Sequence, residues 1–177
     1  MRFERIKGAE HRMYEQALRL YRISFPPHEQ REALSQKRIL GDGEYHFDLI
    51  YDEELFVGLA LYWETEQFLY LEHFCILPEA RNRRYGQKVL EKLKERQKTL
   101  ILEIDPPEDD ISIRRKGFYE RCGFVENPYS HVHPPYHSGN DGHRLRIMTC
   151  PGQIDREMYE EFAEYLSSRV MDGAYSC

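Results

Sequence analysis

The order of hydrophobic periods along this chain predicts an α+β fold, a three-layer arrangement with a mixed, mostly antiparallel central sheet flanked by helices. Three observations carry that expectation. Tyr45–Tyr51 and Leu55–Trp63 are rich in aromatic and branched residues, and the acidic turn Asp52-Glu53-Glu54 joins them as a hairpin. Phe68–Leu77 follows as a third strand, so nearly continuous in apolar residues that it reads as central and buried on both faces. After Pro78 the period switches to helical, and helices and strands then alternate.

The remaining elements follow from punctuation. Residues 2–6 read as a short strand. From Ala9 to about Ser24, Met13, Ala17, Leu20 and Tyr21 share one side of a helix that Pro26-Pro27 ends. A second helix is expected over His28–Leu40, stopped by Gly41-Asp42-Gly43. Val89, Leu90 and Leu93 mark a helix from about Arg84 to Gln97, and Thr99–Ile104 is a short strand. Ser112 is the expected N-cap of a helix over Ile113–Arg121, which Gly123 ends. Strands at about Phe124–His131 and Arg144–Thr149 flank a Pro-, Gly- and His-rich connection. Asp155–Val170 places Met158, Phe162, Tyr165, Leu166 and Val170 on one face of a last helix. With no repeat or linker, residues 1–177 read as one domain, its core at about 3–149. The C-terminal helix, about 155–170, has two places to dock: its own domain, or a second copy in a homodimer.

Composition excludes several classes. At 41% hydrophobic and 13% aromatic residues, the chain is suited to a packed core and unlike a disordered one. No apolar run approaches the ~20 residues that span a bilayer. The start, Met-Arg-Phe-Glu-Arg-Ile, lacks a signal-peptide core. The expectation is therefore a cytoplasmic protein without a membrane partner. Cys75, Cys122, Cys150 and Cys177 are far apart with no CxxC pair, as reduced thiols would be.

The net charge of −6 argues against nucleic acid as a partner, but its distribution is uneven. Residues 81–98 hold eight bases (Arg81, Arg83, Arg84, Lys88, Lys92, Lys94, Arg96, Lys98) against Glu91 and Glu95, a local +6 that leaves −12 elsewhere. Such an island suits a polyanionic ligand, or else a salt-bridged helix face. Its position favours the ligand: a buried strand runs through a short polar turn directly into a helix. The helix's first turn offers unpaired N–H groups, Gly86 admits close approach, and the arginines add charge-assisted pairing.

Two segments resemble the GNAT superfamily of CoA-dependent N-acetyltransferases. Arg81-Asn82-Arg83-Arg84-Tyr85-Gly86-Gln87 is similar to the family's Arg/Gln-x-x-Gly-x-Gly/Ala motif between strand and helix, with Arg84 where the family usually has its first glycine. Phe118-Tyr119-Glu120-Arg121-Cys122-Gly123-Phe124 is similar to its Phe-Tyr-Glu-x-x-Gly-Phe segment. The resemblance covers roughly Phe3 to Thr149. It implies the acyl-CoA N-acyltransferase fold, acetyl-CoA as cosubstrate, and direct attack by an amine of a small molecule or a peptide. The implied CoA contacts are Cys75, Ile76 and Leu77 at the strand end, Arg81, Arg83, Arg84, Tyr85, Gly86 and Gln87 in the turn, and Ser112 and Tyr119. Tyr119 matches the tyrosine that protonates the leaving thiolate in many members. The rival reading is a non-catalytic acyl-CoA-binding or sensing module acting through protein partners, which the replaced glycine at Arg84 favours.

Glu72 is the candidate base for the amine, because a carboxylate in so apolar a strand is costly to bury alone. The alternative is a glutamate paired with a neighbouring element. Strand alternation puts Glu72, Phe74 and Ile76 on one face and Leu71, His73 and Cys75 on the other, so His73 competes as base if that second face lines the cleft. Cys75 reads as a small buried hydrophobe before an acetyl carrier. In the loop from Pro128 to His143, His131, His133, His137 and His143 have the composition of a zinc site with an open position. The loop holds no cysteine, and it stands where the superfamily builds acceptor specificity. His133 and Tyr136 are therefore expected as acceptor contacts, with no metal. The acidic remainder of the chain suggests a polyamine, aminoglycoside or lysine-like acceptor.

Overall fold

The computed structural model describes residues 1–174, so Cys177 lies outside the described residues. Eight strands are β1 (Arg2–Ile6), β2 (Tyr45–Asp52), β3 (Leu55–Glu64), β4 (Phe68–Ile76), β5 (Thr99–Ile104), β6 (Val125–Glu126), β7 (His131–His133) and β8 (His143–Cys150). They form one sheet in the order β1-β2-β3-β4-β5-β8-β6, with β7 also on β8. Every pairing is antiparallel except β4 with β5. That parallel join needs a crossover, and the helix after Pro78 supplies it.

Among the described residues, five α-helices cover the two faces. On one face α1 (Tyr14–Ser24), α2 (Ala33–Ile39) and α5 (Arg156–Tyr165) enclose a core that includes Phe47, Leu61, Trp63, Phe68 and Tyr70. On the other, α3 (Tyr85–Lys94) and α4 (Asp110–Arg121) pack on Leu69, Leu71, Leu100 and Leu102. The last helix docks on its own sheet: the Phe162 ring centroid lies 5.9 Å from Phe68 and 5.1 Å from Tyr70, and that of Tyr165 lies 5.4 Å from Phe68. Such aromatic contacts add to the burial they accompany. A π-helical turn, Leu166–Val170, then completes the predicted span.

Four expectations are corrected. The first helix begins at Tyr14, because residues 8–14 are taken up by turns closed by His11 N–H to Gly8 O and Tyr14 N–H to His11 O. The second helix is confined to Ala33–Ile39 after a short 3-10 turn, Pro27–Glu29. Between them Arg31 leaves helical pairing: its N–H donates to the Tyr21 hydroxyl at 3.0 Å, and its side chain turns into the interior. The helix over α4 starts at Asp110 and is capped by Asp109, whose carboxylate accepts from Ile111 and Ser112 N–H; Ser112 is the reciprocal member of that capping box. The strand expected over Phe124–His131 splits into β6 and β7, since Pro128 between them has no N–H to pair.

A fifth difference matters most for the site. Leu61 pairs with His73 but Tyr62 pairs with Leu71, so Glu72 is an extra, bulged residue in β4. The bulge resets the alternation. Glu72, His73 and Cys75 now belong with the α1/α5 face, while Phe74 and Ile76 join Leu71 on the α3/α4 face. The predicted division of Glu72 from His73 does not survive it.

Candidate active site

β4 and β5 run side by side only from Phe68 opposite Thr99 to Leu71 opposite Leu102. Beyond that point β5 stays with β8, and β4 stays with β3 as far as Ile76. The sheet therefore forks, and a cavity of about 540 Å³ fills the fork, lined by residues from both faces. Tyr119, Arg81 and Arg115 stand at the α3/α4 side; Phe25, Glu29, His133 and Tyr136 stand at the other.

The ladder decides which backbone groups face the fork. Leu77 N–H donates to Val57 O at 2.9 Å, and antiparallel alternation then points Cys75, opposite Leu59, towards β3 as well. The N–H groups of Cys75 and Leu77, two of the implied CoA contacts, are thus committed to β3. Phe74 and Ile76 are the residues whose N–H groups face the open edge. Arg81 Nε, 3.4 Å from Ile76 O, lies on the same edge. Burial pushes the Cys75 thiol up to about 11, consistent with an inert packed side chain.

At the α3 end, Arg84 occupies the N-cap with φ 61° and ψ 15°, and Asn82 also has positive φ. Arg84 thus adopts the left-handed backbone for which the family's glycine is suited, at a cost of about 1–2 kcal/mol. Lys88 N–H to Arg84 O, 3.1 Å, is the first helical bond, which leaves the N–H groups of Tyr85, Gly86 and Gln87 without intrahelical partners. A Cβ on Gly86 would sit 3.0 Å from Phe118 Cζ and 3.8 Å from Phe74 Cε1. This glycine therefore lets α3 close on α4 and β4. Tyr85 is buried against the same core.

The basic island divides in two. Lys92, Lys94, Arg96 and Lys98 are engaged by Glu95, Glu91, Glu64 and Glu64, at 2.6–2.9 Å. Arg81, Arg83, Arg84 and Lys88, at the helix N-terminus, join no ion pair among the described residues. The salt-bridged reading holds for the first group, and the second is available to an anion. Ser112 does not join them, because its hydroxyl donates to Asp109 O and accepts from Asp109 N–H.

Tyr119 lines the cavity, half-buried, and its hydroxyl makes no hydrogen bond among the described residues. Burial pushes it up to about 12, so it carries its proton at neutral pH.

The surroundings of Glu72 do not suit the base expected of it. Its carboxylate is buried and accepts from Arg31 Nη2 at 3.0 Å, Trp63 Nε1 at 2.9 Å and the Tyr136 hydroxyl at 2.8 Å. Burial alone would raise its pKa, but the Arg31 guanidinium and these donors hold it down at about 2. A carboxylate so engaged is a weak base at neutral pH. The Tyr136 hydroxyl is committed to it, so this residue offers the cavity its ring. His73 is also buried, with Nε2 2.9 Å from Glu29 O, and burial lowers its pKa.

A second buried carboxylate, absent from the sequence reading, lies on the neighbouring strand. Glu103 on β5 lines the cavity, bonded by the Tyr70 hydroxyl and by His131 Nε2. His133 Nε2 lies 3.9 Å from it. The His133 ring stacks on Tyr136, with centroids 4.8 Å apart, and its Nδ1 donates to Pro134 O at 2.5 Å. A neutral ring with hydrogen on Nδ1 has its lone pair on Nε2, and that atom is buried without a partner. Glu103 could have been found by the argument applied to Glu72, a lone carboxylate in Leu-Ile-Leu-Glu-Ile.

The fork thus has Arg81 and Tyr119 at one side of its cavity and Glu29, His133 and Tyr136 at the other. The family model described as acetyltransferase (GNAT) domain matches residues 43–126. A solved structure from Bacteroides thetaiotaomicron, provisionally named a GNAT-family acetyltransferase, is 33% identical with a TM-score of 0.89, covering 97% of this chain and 98% of that one. The chain belongs to the GNAT family of acetyltransferases. YjbC of Bacillus subtilis, also provisionally named an acetyltransferase, is 26% identical over 102 residues, 56% of this chain and 52% of that relative, so the match spans about half of YjbC. An aminoglycoside 6'-N-acetyltransferase complexed with coenzyme A shares the fold, with a TM-score of 0.58 at 15% identity, covering 88% of this chain and all of that one (100%). Among the described residues, no helix is long and apolar enough to cross a membrane.

Proposed function

We propose that this chain is a single-domain, acetyl-CoA-dependent N-acetyltransferase acting on a primary amine of a small molecule or peptide. The observation that carries the reading is the fork between β4 and β5. The fork leaves an open strand edge beside a cavity lined by Arg81 and by Tyr119, which keeps its proton, and the unpaired N-terminus of α3 begins four residues beyond Arg81. These features suit a pyrophosphate at Tyr85–Gln87 and a pantetheine arm hydrogen-bonded along Phe74–Ile76.

Acetyl-CoA supplies an acetyl thioester, whose bond to sulfur breaks as the acceptor nitrogen bonds to the acetyl carbon. The acceptor enters from the α1/α5 side as an ammonium; His133 lines that side and, by a small turn of its ring that brings the buried Nε2 to the cavity, takes the proton to free the lone pair. Glu103, 3.9 Å away, stabilises the imidazolium that results. Ile76 N–H faces the carbonyl oxygen as negative charge develops there. Tyr119 gives its proton to the leaving sulfur and regains one from the acetylated nitrogen through solvent. Glu72 and Arg31 act beneath the site by fixing Tyr136, on which His133 rests.

Binding is checked by thermal denaturation with acetyl-CoA. At a concentration of about 100 Kd the native state gains about 2.7 kcal/mol, and Arg84→Glu, which sets a negative charge at the phosphate mouth, should remove most of that gain. A melting temperature indifferent to acetyl-CoA would end the proposal.

A further inference from the structure

Two histidines and a glutamate converge on the acceptor-side rim of the cavity. His28 and Glu29 belong to the turn Pro27–Glu29, and His143 opens β8. One ligand atom from each lies within 4.8 Å of the other two, and all three residues line the cavity. We propose that this trio binds a first-row divalent cation of the zinc type.

The donor set selects the ion. Two imidazoles and one carboxylate suit zinc, whereas magnesium and calcium prefer all-oxygen shells. Three protein ligands also leave one position open, as in catalytic zinc sites.

The rim is held in place from behind. His73 Nε2 bonds Glu29 O and His137 Nε2 bonds Pro27 O, both at 2.9 Å, so the turn carrying His28 and Glu29 is pinned at two carbonyls. Asp105 Oδ1 lies 3.4 Å from His143 Nε2, and Asp105 Oδ2 accepts from Arg115 at 2.8 Å. A carboxylate behind an imidazole is the arrangement that orients metal-binding histidines. His28 Nε2 is already 3.6 Å from Glu29 Oε1. Two bonds of ~2.1 Å at a tetrahedral angle bring ligand atoms to about 3.4 Å. Closing from 4.8 Å is a side-chain movement, and the exposed His28 is the residue able to make it.

Of the four loop histidines, only His143 belongs to this group. His131 and His133 face Glu103, and His137 is engaged at Pro27. The metal site of the His-rich loop is thus completed from the distant Pro-Pro-His-Glu turn. All three residues line the cavity, so the ion borders the space assigned to the acceptor.

Calorimetric titration of the full chain with zinc chloride tests this, with magnesium chloride as the hard-ion control and His28→Ala, Glu29→Gln and His143→Ala as variants. A single equivalent of zinc should bind, magnesium should not, and each substitution should weaken zinc at least about tenfold. Absence of saturable zinc binding overturns the proposal, as does unchanged affinity in the variants, which would locate the ion elsewhere. Acetyl-CoA stabilisation measured on the same samples shows each variant to be folded. It also separates failure of the metal site from failure of the acetyltransferase reading.

Discussion

Tyr119→Phe is expected to lower kcat by about 10²–10⁴-fold, the range for loss of a positioned general acid. Stability should change by no more than about 0.5 kcal/mol, because the hydroxyl makes no hydrogen bond among the described residues. The deficit should persist throughout pH 7–9. With its pKa pushed up to about 12, Tyr119 stays protonated across that range, so raising the pH does not remove the wild-type acid. Affinity for acetyl-CoA should change little, since the ring remains. Steady-state kinetics on acetyl-CoA at three pH values would check this. Full turnover by the phenylalanine variant would mean that solvent protonates the sulfur.

Glu72→Ala is expected to act on the fold instead. The substitution strands Arg31, whose guanidinium is buried and, among the described residues, hydrogen-bonded otherwise only to Ser35 and to Val170 O. Breaking one side of such a pair costs about 3–5 kcal/mol, a large part of the ~5–15 kcal/mol that holds a typical domain together. Replacing both partners, as in Arg31→Met with Glu72→Leu, should recover part of the loss, because no unpaired charge then remains. The pH dependence has a definite sign. The folded-state pKa of about 2 lies below the ordinary 4.5, so the carboxylate's contribution is complete above pH 4.5 and is lost as pH falls towards 2. Urea melts of the three proteins at pH 7 and pH 3 measure both effects. A loss under about 1 kcal/mol on Glu72→Ala at pH 7 would show that the buried ion pair does not form.

These two residues also mark where the sequence is legible. Tyr119 sits in a local motif, between a helix it belongs to and the strand that follows, so its neighbourhood is written contiguously. Thr99–Ile104 and residues 2–6 come out with the predicted bounds for the same reason, as short apolar runs between clear stops. Glu72 depends on partners 41, 9 and 64 residues away and on a bulge. A bulge is set by how β3 and β4 pair, so strict alternation along β4 misassigned its faces. Ser112 and Asp109 were separable only in three dimensions, since a serine and an aspartate three residues apart both suit a cap. The charge island was real, but its division depended on Glu64, which reaches Arg96 and Lys98 across the sheet. Glu103 and His133 lie on different strands and meet because β7 folds back onto β8.

The most direct test is release of CoA thiol from acetyl-CoA by the purified chain, measured with and without a panel of primary amines spanning polyamines, aminoglycosides and lysine peptides. Amine-dependent release that falls by about 10²-fold or more in Tyr119→Phe is the predicted result. Saturable acetyl-CoA binding with no amine accelerating thiol release would contradict it, and would make the chain an acyl-CoA-binding module.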